Sequence, residues 1–489
     1  MANNPEFGKL RRTLFPIHKS ELRKFLPLTF IFLMISFNYA TLRSLKDIYL
    51  MNNISAEVIY YVKLFGVTPG IIFLTIIYSN ISKATDRDTR FNIVISYFLI
   101  FFGLSYFVFI PNIETFKLNA LANSLNNEFP AMCNLWEAIR FWPFTLFYIN
   151  AEAWGTMALG VLFWTFVNEI TGSEQAKRFY SFLSLGAAVG LLLSGTALKS
   201  LQKNKDLTLG IGVSLMIMIL IVYNFFARDI RSNPALYQVE KKPKKKKEKL
   251  SLMESIRFLS KSEYLAQIAI LVIAYGVVIS LFESVWKAKV KEFTAGDAVM
   301  MTNIYGNQGI ITGIISMVLI LFLSTPIMKR GWRFAASVTP GMALIATLIF
   351  FASLYFESPL SGVTASVGFT PLAFAVFFGL LNVVFIKASK YTLFDPTKER
   401  AYIPLDEESK VRGKAAVDGV GSRIGKSLGS FVVTLILVPT MGSINNAKYI
   451  IFFVILIGLV MWLRAVSRLN VLFKERTEAA KKEAATEKA

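Results

Sequence analysis

Long apolar runs recur along the chain, separated by short polar connections. Twelve of them approach the ~20 residues that an α-helix needs to cross a hydrocarbon layer. In the first half they cover about residues 25–45, 58–81, 91–110, 142–170, 179–199 and 207–227. In the second they cover about 264–285, 303–327, 334–356, 370–385, 417–439 and 447–469. The 142–170 and 417–439 runs carry internal polar groups. The pattern predicts an all-α polytopic membrane protein. It divides into an N-terminal segment, 1–24, a six-helix bundle, 25–227, a basic linker, 228–262, a second six-helix bundle, 263–470, and a charged tail, 471–489.

Six plus six helices around a long linker is the layout of a two-bundle, major-facilitator-like carrier. In such folds the cargo sits between the halves near the midplane. Composition agrees: 54% of residues are hydrophobic and only 17% are charged, against about 25% charged in a soluble domain. The formal net charge of +21 would suggest nucleic-acid binding in a soluble chain. Here the basic residues crowd alternate connections: the N-terminus, Lys83–Arg87–Arg90, Lys177–Arg178, the linker run from Lys241 to Lys249, Lys329–Arg330–Arg333, 387–414 and the tail. By the positive-inside rule those connections and both termini are cytoplasmic, in an inner (cell) membrane, and no nucleic-acid partner is expected. The lone Cys133 and the lone His18 exclude an intrachain disulfide and a His/Cys metal cage. No cofactor or metal is expected, nor a cleaved leader, since the first apolar run follows a long basic segment.

The informative residues are ionisable groups inside apolar runs. Lys63 lies in IYYVKLFG, Glu152 in YINAEAWG, Glu283 in VISLFESVW, and Lys426 in GSRIGKSLG with Arg423 one turn before it. Asn38, Arg43, Lys46 and Asp47 cluster where the first run ends. A charge at the bilayer centre costs at least ~2.5–3.5 kcal/mol, so each marks a site by default. The plain alternative is a buried ion pair locking two helices, for example Lys63 with Glu152. Cations and anions spread over both halves favour a shared polar cavity instead. Lysine as a point charge and arginine as a fork suit a phosphate-bearing polyanion. The carboxylates would pair with those cations while the site is empty, and a switch from Lys–Glu to Lys–phosphate pairing would couple binding to rocking of the halves. The Gly–Lys–Ser around Lys426 is no phosphate loop, because no strand precedes it and the upstream glycine is misplaced. No paired acids stand in a recognisable catalytic motif, and no enzyme activity is expected.

The same stretches carry a resemblance. FNYATLRSLKD at 37–47, YYVKLF at 60–65, the run AEAWGTMALGVLFWTFVNEITGSEQAKRFY at 151–180, ESVWKAKVKEF at 283–293, LFDPTKERAYIPLDE within 389–418 and RIGKSLG at 423–429 are similar to the bacterial and plastid ATP/ADP translocases. The resemblance spans nearly the whole chain. It implies twelve spans and exchange of external ATP for internal ADP, with Lys63, Glu152, Glu283 and Lys426 important for transport. Family members differ in the nucleotide carried; some move GTP, UTP or CTP, and some do so with protons. Ala153, Val167–Asn168–Glu169 and Leu428 depart from the usual AELWG, FANQI and GKSGG, which leaves base selectivity open. The substrate site is therefore expected at Lys63, Glu152, Glu283, Lys426, Lys46, Arg43, Asn38 and Arg423. The partners expected are a nucleotide and the lipid bilayer, with the protein acting as a monomer.

Overall fold

The computed structural model describes residues 17–233, 237, 252–260, 262–406, 409, 413–414, 416–417, 422–440 and 442–486. It is helical, with no strand among these residues. In the first half α1 (Lys19–Asn53), α2 (Val58–Ala84) and α3 (Arg87–Phe109) are followed by short helices, among them α4 (Asn119–Glu128) and α5 (Cys133–Arg140). Then come α6 (Trp142–Ile170), α7 (Ser173–Ser200) and α8 (Asp206–Ser232). The second half begins with α9 (Leu252–Ser260), α10 (Glu263–Phe293), α11 (Ala298–Lys329), α12 (Trp332–Tyr355) and the short α13 (Glu357–Ser366). It ends with α14 (Pro371–Ser389), α15 (Ser422–Leu437) and α16 (Ile444–Thr486).

Eleven helices among the described residues are long and apolar enough to span a membrane. The run expected at 417–439 as a twelfth forms α15, of which only Ser427–Leu437 is apolar. Of the basic linker expected at 228–262, residues 228–232 continue α8 and 252–260 form α9, while its lysine run, Lys241–Lys249, lies outside the described residues.

Among the helices that outrun the spans expected of them, three bear on the interior charges. The first run ends near residue 45 by hydropathy, yet α1 continues to Asn53. The run expected to end at 285 continues in α10 to Phe293 and takes in Lys287, Lys289 and Lys291. α14 runs past 385, through a π-helical stretch at Lys390–Phe394, into a helix ending at Ala401. In the first two cases charged residues from facing helices neutralise one another, so the helix need not leave the interior where its charges begin.

The halves meet along two seams. α7 and α1 lie against α11, and α2 lies against α15, while α1 and α10 meet through ion pairs. On the first seam the helix backbones nearly touch: a Cβ on Gly195 would stand 2.6 Å from the Gly306 carbonyl oxygen. Small residues allow such contact where lipid supplies no hydrophobic drive to associate. Lipid-facing positions are apolar, among them Phe73, Ile100, Phe107, Phe225, Phe322 and Phe453, each more than 60% exposed.

Polar contacts between halves gather at the end of the molecule remote from the termini. Lys291 Nζ donates to the Ile54 carbonyl, the Ile444 amide to Glu57 Oε1 at 3.2 Å, Asn134 Nδ2 to the Gly442 carbonyl at 3.4 Å, and Asn303 Nδ2 to Gln202 Oε1 at 2.7 Å. At the end carrying the termini, the ion pairs Arg23–Asp229, Arg231–Asp88, Arg90–Glu169, Arg468–Glu263 and Lys414–Glu399 each stay within one half.

Candidate functional site

Between the halves runs one continuous chain of alternating charges. Lys46 Nζ on α1 donates to Glu152 Oε1 on α6 at 2.5 Å and stands 3.7 Å from Asp47. Asp47 reaches across to Lys287 Nζ on α10 at 2.8 Å. Lys287 lies 3.8 Å from Glu283 one turn earlier. Glu283 in turn meets Lys387 on α14 at 3.1 Å and Arg43 on α1 at 3.7 Å. Four helices, two from each half, thus contribute to a single network.

The network is layered. Asp47 and Lys287 each stand six residues from the far end of their helix, about 9 Å in at 1.5 Å per residue. Their side chains are 6% and 3% exposed. Arg43, Glu152 and Glu283 each stand ten residues in, about 15 Å. In that deeper layer the Arg43 and Glu152 side chains are 37% and 30% exposed. The network is therefore sealed toward the far end, where the halves touch, and accessible on its opposite side.

Lys63 enters from α2 on a π-helical stretch, Val62–Val67. Such wide turns re-aim a side chain and often mark functional positions. Its Nζ sits 5.1 Å from the centre of the Tyr60 ring, within electrostatic reach of Lys46, Glu152, Glu283 and Lys287. No carboxylate among the described residues lies within ion-pair distance of it. Tyr148 supports Lys46, whose Nζ is 3.7 Å from that ring centre. The buried hydroxyls of Tyr60 and Tyr148 have no hydrogen-bond partner among the described residues. A second π-helical stretch, Gly155–Phe163, begins just after Glu152. Among the described residues, five cations, Arg43, Lys46, Lys63, Lys287 and Lys387, therefore stand against three carboxylates, Asp47, Glu152 and Glu283. An interior surplus of positive charge is costly unless an anion completes it.

The residues read from sequence fall into three groups. Arg43, Lys46, Lys63, Glu152 and Glu283 come together. The specific lock considered, Lys63 with Glu152, does not form, because Glu152 is taken by Lys46. Asn38 does not join them. It is fully buried, bonds to the Met34 carbonyl of its own helix, and points at Gly212 of α8, where a Cβ would meet its Oδ1 at 2.6 Å. Arg423 and Lys426 fall on α15, and their side chains lie outside the described residues. α15 does reach the interface, where Ser427 Oγ stands 3.4 Å from Thr68 Oγ1 of α2.

Sequence reasoning missed Lys287 and Lys387. A signal existed for the first: Lys287 is four residues after Glu283, on the same helical face. Lys387 lay two residues beyond the expected end of its span and was counted with the loop.

The whole chain can be placed among known proteins. The family model described as TLC ATP/ADP transporter matches residues 1–473. An ADP,ATP carrier protein 1 of Chlamydia trachomatis is 37% identical, over 98% of this chain and 94% of the relative. One from Rickettsia bellii is 35% identical over 95% and 96%. A chloroplastic ADP,ATP carrier protein 1 of Arabidopsis thaliana is 34% identical over 94% of this chain and 75% of its own length. In fold the chain is similar to a bacterial homologue of the iron transporter ferroportin, with a TM-score of 0.55 and 12% identity, over 92% of this chain and 100% of the other. It is also similar to a bacterial homologue of the human lysosomal transporter Spinster, with a TM-score of 0.53 and 12% identity, over 94% and 98%. These neighbours share the fold, and the family model and the sequence relatives carry the placement further: the chain belongs to the TLC ATP/ADP transporter family.

Proposed function

We propose that this protein is a membrane antiporter that takes up ATP in exchange for ADP by alternating access, with the charge network between its halves as the nucleotide site. The observation that carries this reading is the surplus of cations over carboxylates at the bundle interface, an interior field suited to a polyphosphate. Arg43, Lys46, Lys63, Lys287 and Lys387 grip phosphate, while Glu152 and Glu283 hold those cations when the site is empty. Lys426 and Arg423 are assigned to the same site from the second half.

Residues 25–227 and 263–470 act as the two rocking bodies. The basic connections and both termini face the cytoplasm by the positive-inside rule. Contacts at the far end then correspond to a closed outer gate and an inward-facing state. The working unit proposed is a monomer, since one polypeptide supplies both rocking bodies. The gradients of the two nucleotides drive exchange. ATP carries about one more negative charge than ADP, so each cycle moves net charge, worth ~2.3 kcal/mol per 100 mV.

The test is counterflow in proteoliposomes holding the purified full chain. Labelled ATP uptake should require internal ADP, exceed uptake of GTP, UTP and CTP, and survive an uncoupler. Uptake into empty vesicles, or its collapse with the proton gradient, would point instead to proton-coupled import of a nucleotide.

A further inference from the structure

We infer that Asp47 and Lys287 form the latch that makes exchange obligatory, and that a nucleotide phosphate opens it by replacing Asp47 as the partner of Lys287. This deepens the reading above and rests on it. Among the described residues, two ion pairs of the network cross from one half to the other. Asp47–Lys287 is the tighter, at 2.8 Å with both groups sealed, whereas Arg43–Glu283 spans 3.7 Å with Arg43 partly in solvent. The halves cannot part at this level without separating Asp47 from Lys287. Removing one partner of a sealed pair and leaving the other bare is strongly unfavourable. An empty carrier therefore stays shut.

The surroundings provide for both partners once the pair opens. Asp47 Oδ1 accepts no hydrogen bond among the described residues, yet Lys46 Nζ waits 3.7 Å away. A small turn of the carboxylate gives it a new counter-charge in its own half. Lys287 would be left beside Glu283 at 3.8 Å, which already holds Lys387 more closely. A phosphate entering past the more exposed Arg43 and Lys387 gives Lys287 its replacement. Asp47 and Lys287 each keep a counter-charge throughout, and a ligand bearing phosphate supplies the missing anion.

Competition of this kind predicts opposite effects at the two ends of one ion pair, which a purely structural bridge does not. The experiment measures ATP and ADP binding to the purified full chain by calorimetry, alongside counterflow in proteoliposomes, for wild type, Asp47→Asn, Asp47→Ser, Lys287→Gln and Lys287→Arg. Replacing Asp47 removes the competitor, so nucleotide binding should tighten about tenfold, and labelled ATP should leak into vesicles lacking ADP. Lys287→Gln should weaken binding about tenfold or more, and Lys287→Arg should stay within about threefold of wild type. Inorganic tripolyphosphate should compete with ATP in wild type and lose affinity in Lys287→Gln. Weaker binding in both Asp47 variants, or unchanged binding in Lys287→Gln, overturns the latch while wild-type exchange still stands. Failure of wild type itself to bind or exchange adenine nucleotides overturns the reading beneath it. Should Asp47→Asn not fold, Asp47→Ser decides the sign.

Discussion

Lys291 of α10 donates its ammonium to the carbonyl of Ile54, where α1 ends, so a cation of one half caps a helix terminus of the other. The relation is returned nearby: Glu57 of the first half accepts from the amide of Ile444, the first residue of α16. Each charge has the sign that its helix end favours, worth about 0.3–1 kcal/mol apiece. Together they tie the two halves at the far end.

This reciprocal capping makes the first prediction. Glu57→Gln or Lys291→Gln should shift the resting protein toward opening at the far end by about twofold to fivefold. A cysteine placed at Ser55, in a Cys133→Ser background, should react correspondingly faster with an impermeant maleimide. An unchanged rate would show that these caps do not govern the gate.

A second prediction concerns the α7–α11 seam. Gly195→Val would push a branched side chain into the backbone of α11, near the Gly306 carbonyl and within 2.8 Å of the Gly309 carbonyl carbon. Overpacking of this kind costs about 1–3 kcal/mol. Melting temperature should fall by several degrees, and exchange should drop at least tenfold, because the seam can no longer close. Gly103, with nothing within 4 Å of a Cβ, should accept alanine with neither effect.

Lys63 supplies a third. It has no acid within ion-pair distance among the described residues, so Lys63→Gln should leave thermal stability nearly unchanged. Loss of one charge-assisted bond to phosphate, about 1.5–3 kcal/mol, should raise the dissociation constant for ATP by about tenfold to a hundredfold. Equal losses of stability and affinity would mean that Lys63 is structural.

Glu283 should behave differently. It faces Lys287, Lys387 and Arg43 at once, so Glu283→Gln leaves three cations facing one another. The variant should melt at a lower temperature and exchange at less than a tenth of the wild-type rate. It should still bind ATP, since the cations remain. Wild-type exchange by Glu283→Gln would remove the carboxylates from the transport cycle.

How much of this was legible beforehand follows from what each level of structure depends on. Hydropathy is a local property. The cost of exposing polar backbone or charge to lipid is set residue by residue, so the spans, the class of fold and the exceptional character of Lys63, Glu152 and Glu283 could be read from the chain alone. The resemblance of long motifs supplied the family for the same reason. Helix ends were less legible: α1 and α10 carry on through Lys46, Asp47 and Lys287 because charges on facing helices meet them, and no single segment contains both partners.

The pairing itself belongs entirely to the tertiary structure. Which way a helix is rotated, and how two halves are set against each other, decided that Glu152 takes Lys46 rather than Lys63. It also decided that Asn38 packs on Gly212 instead of facing the site, and that Lys387 comes in from the end of its span to hold Glu283. Ion pairs act over a few ångströms between residues that lie hundreds of positions apart, so a chain read in one dimension reveals which charges must find partners, and only the packed helices decide which partners they find.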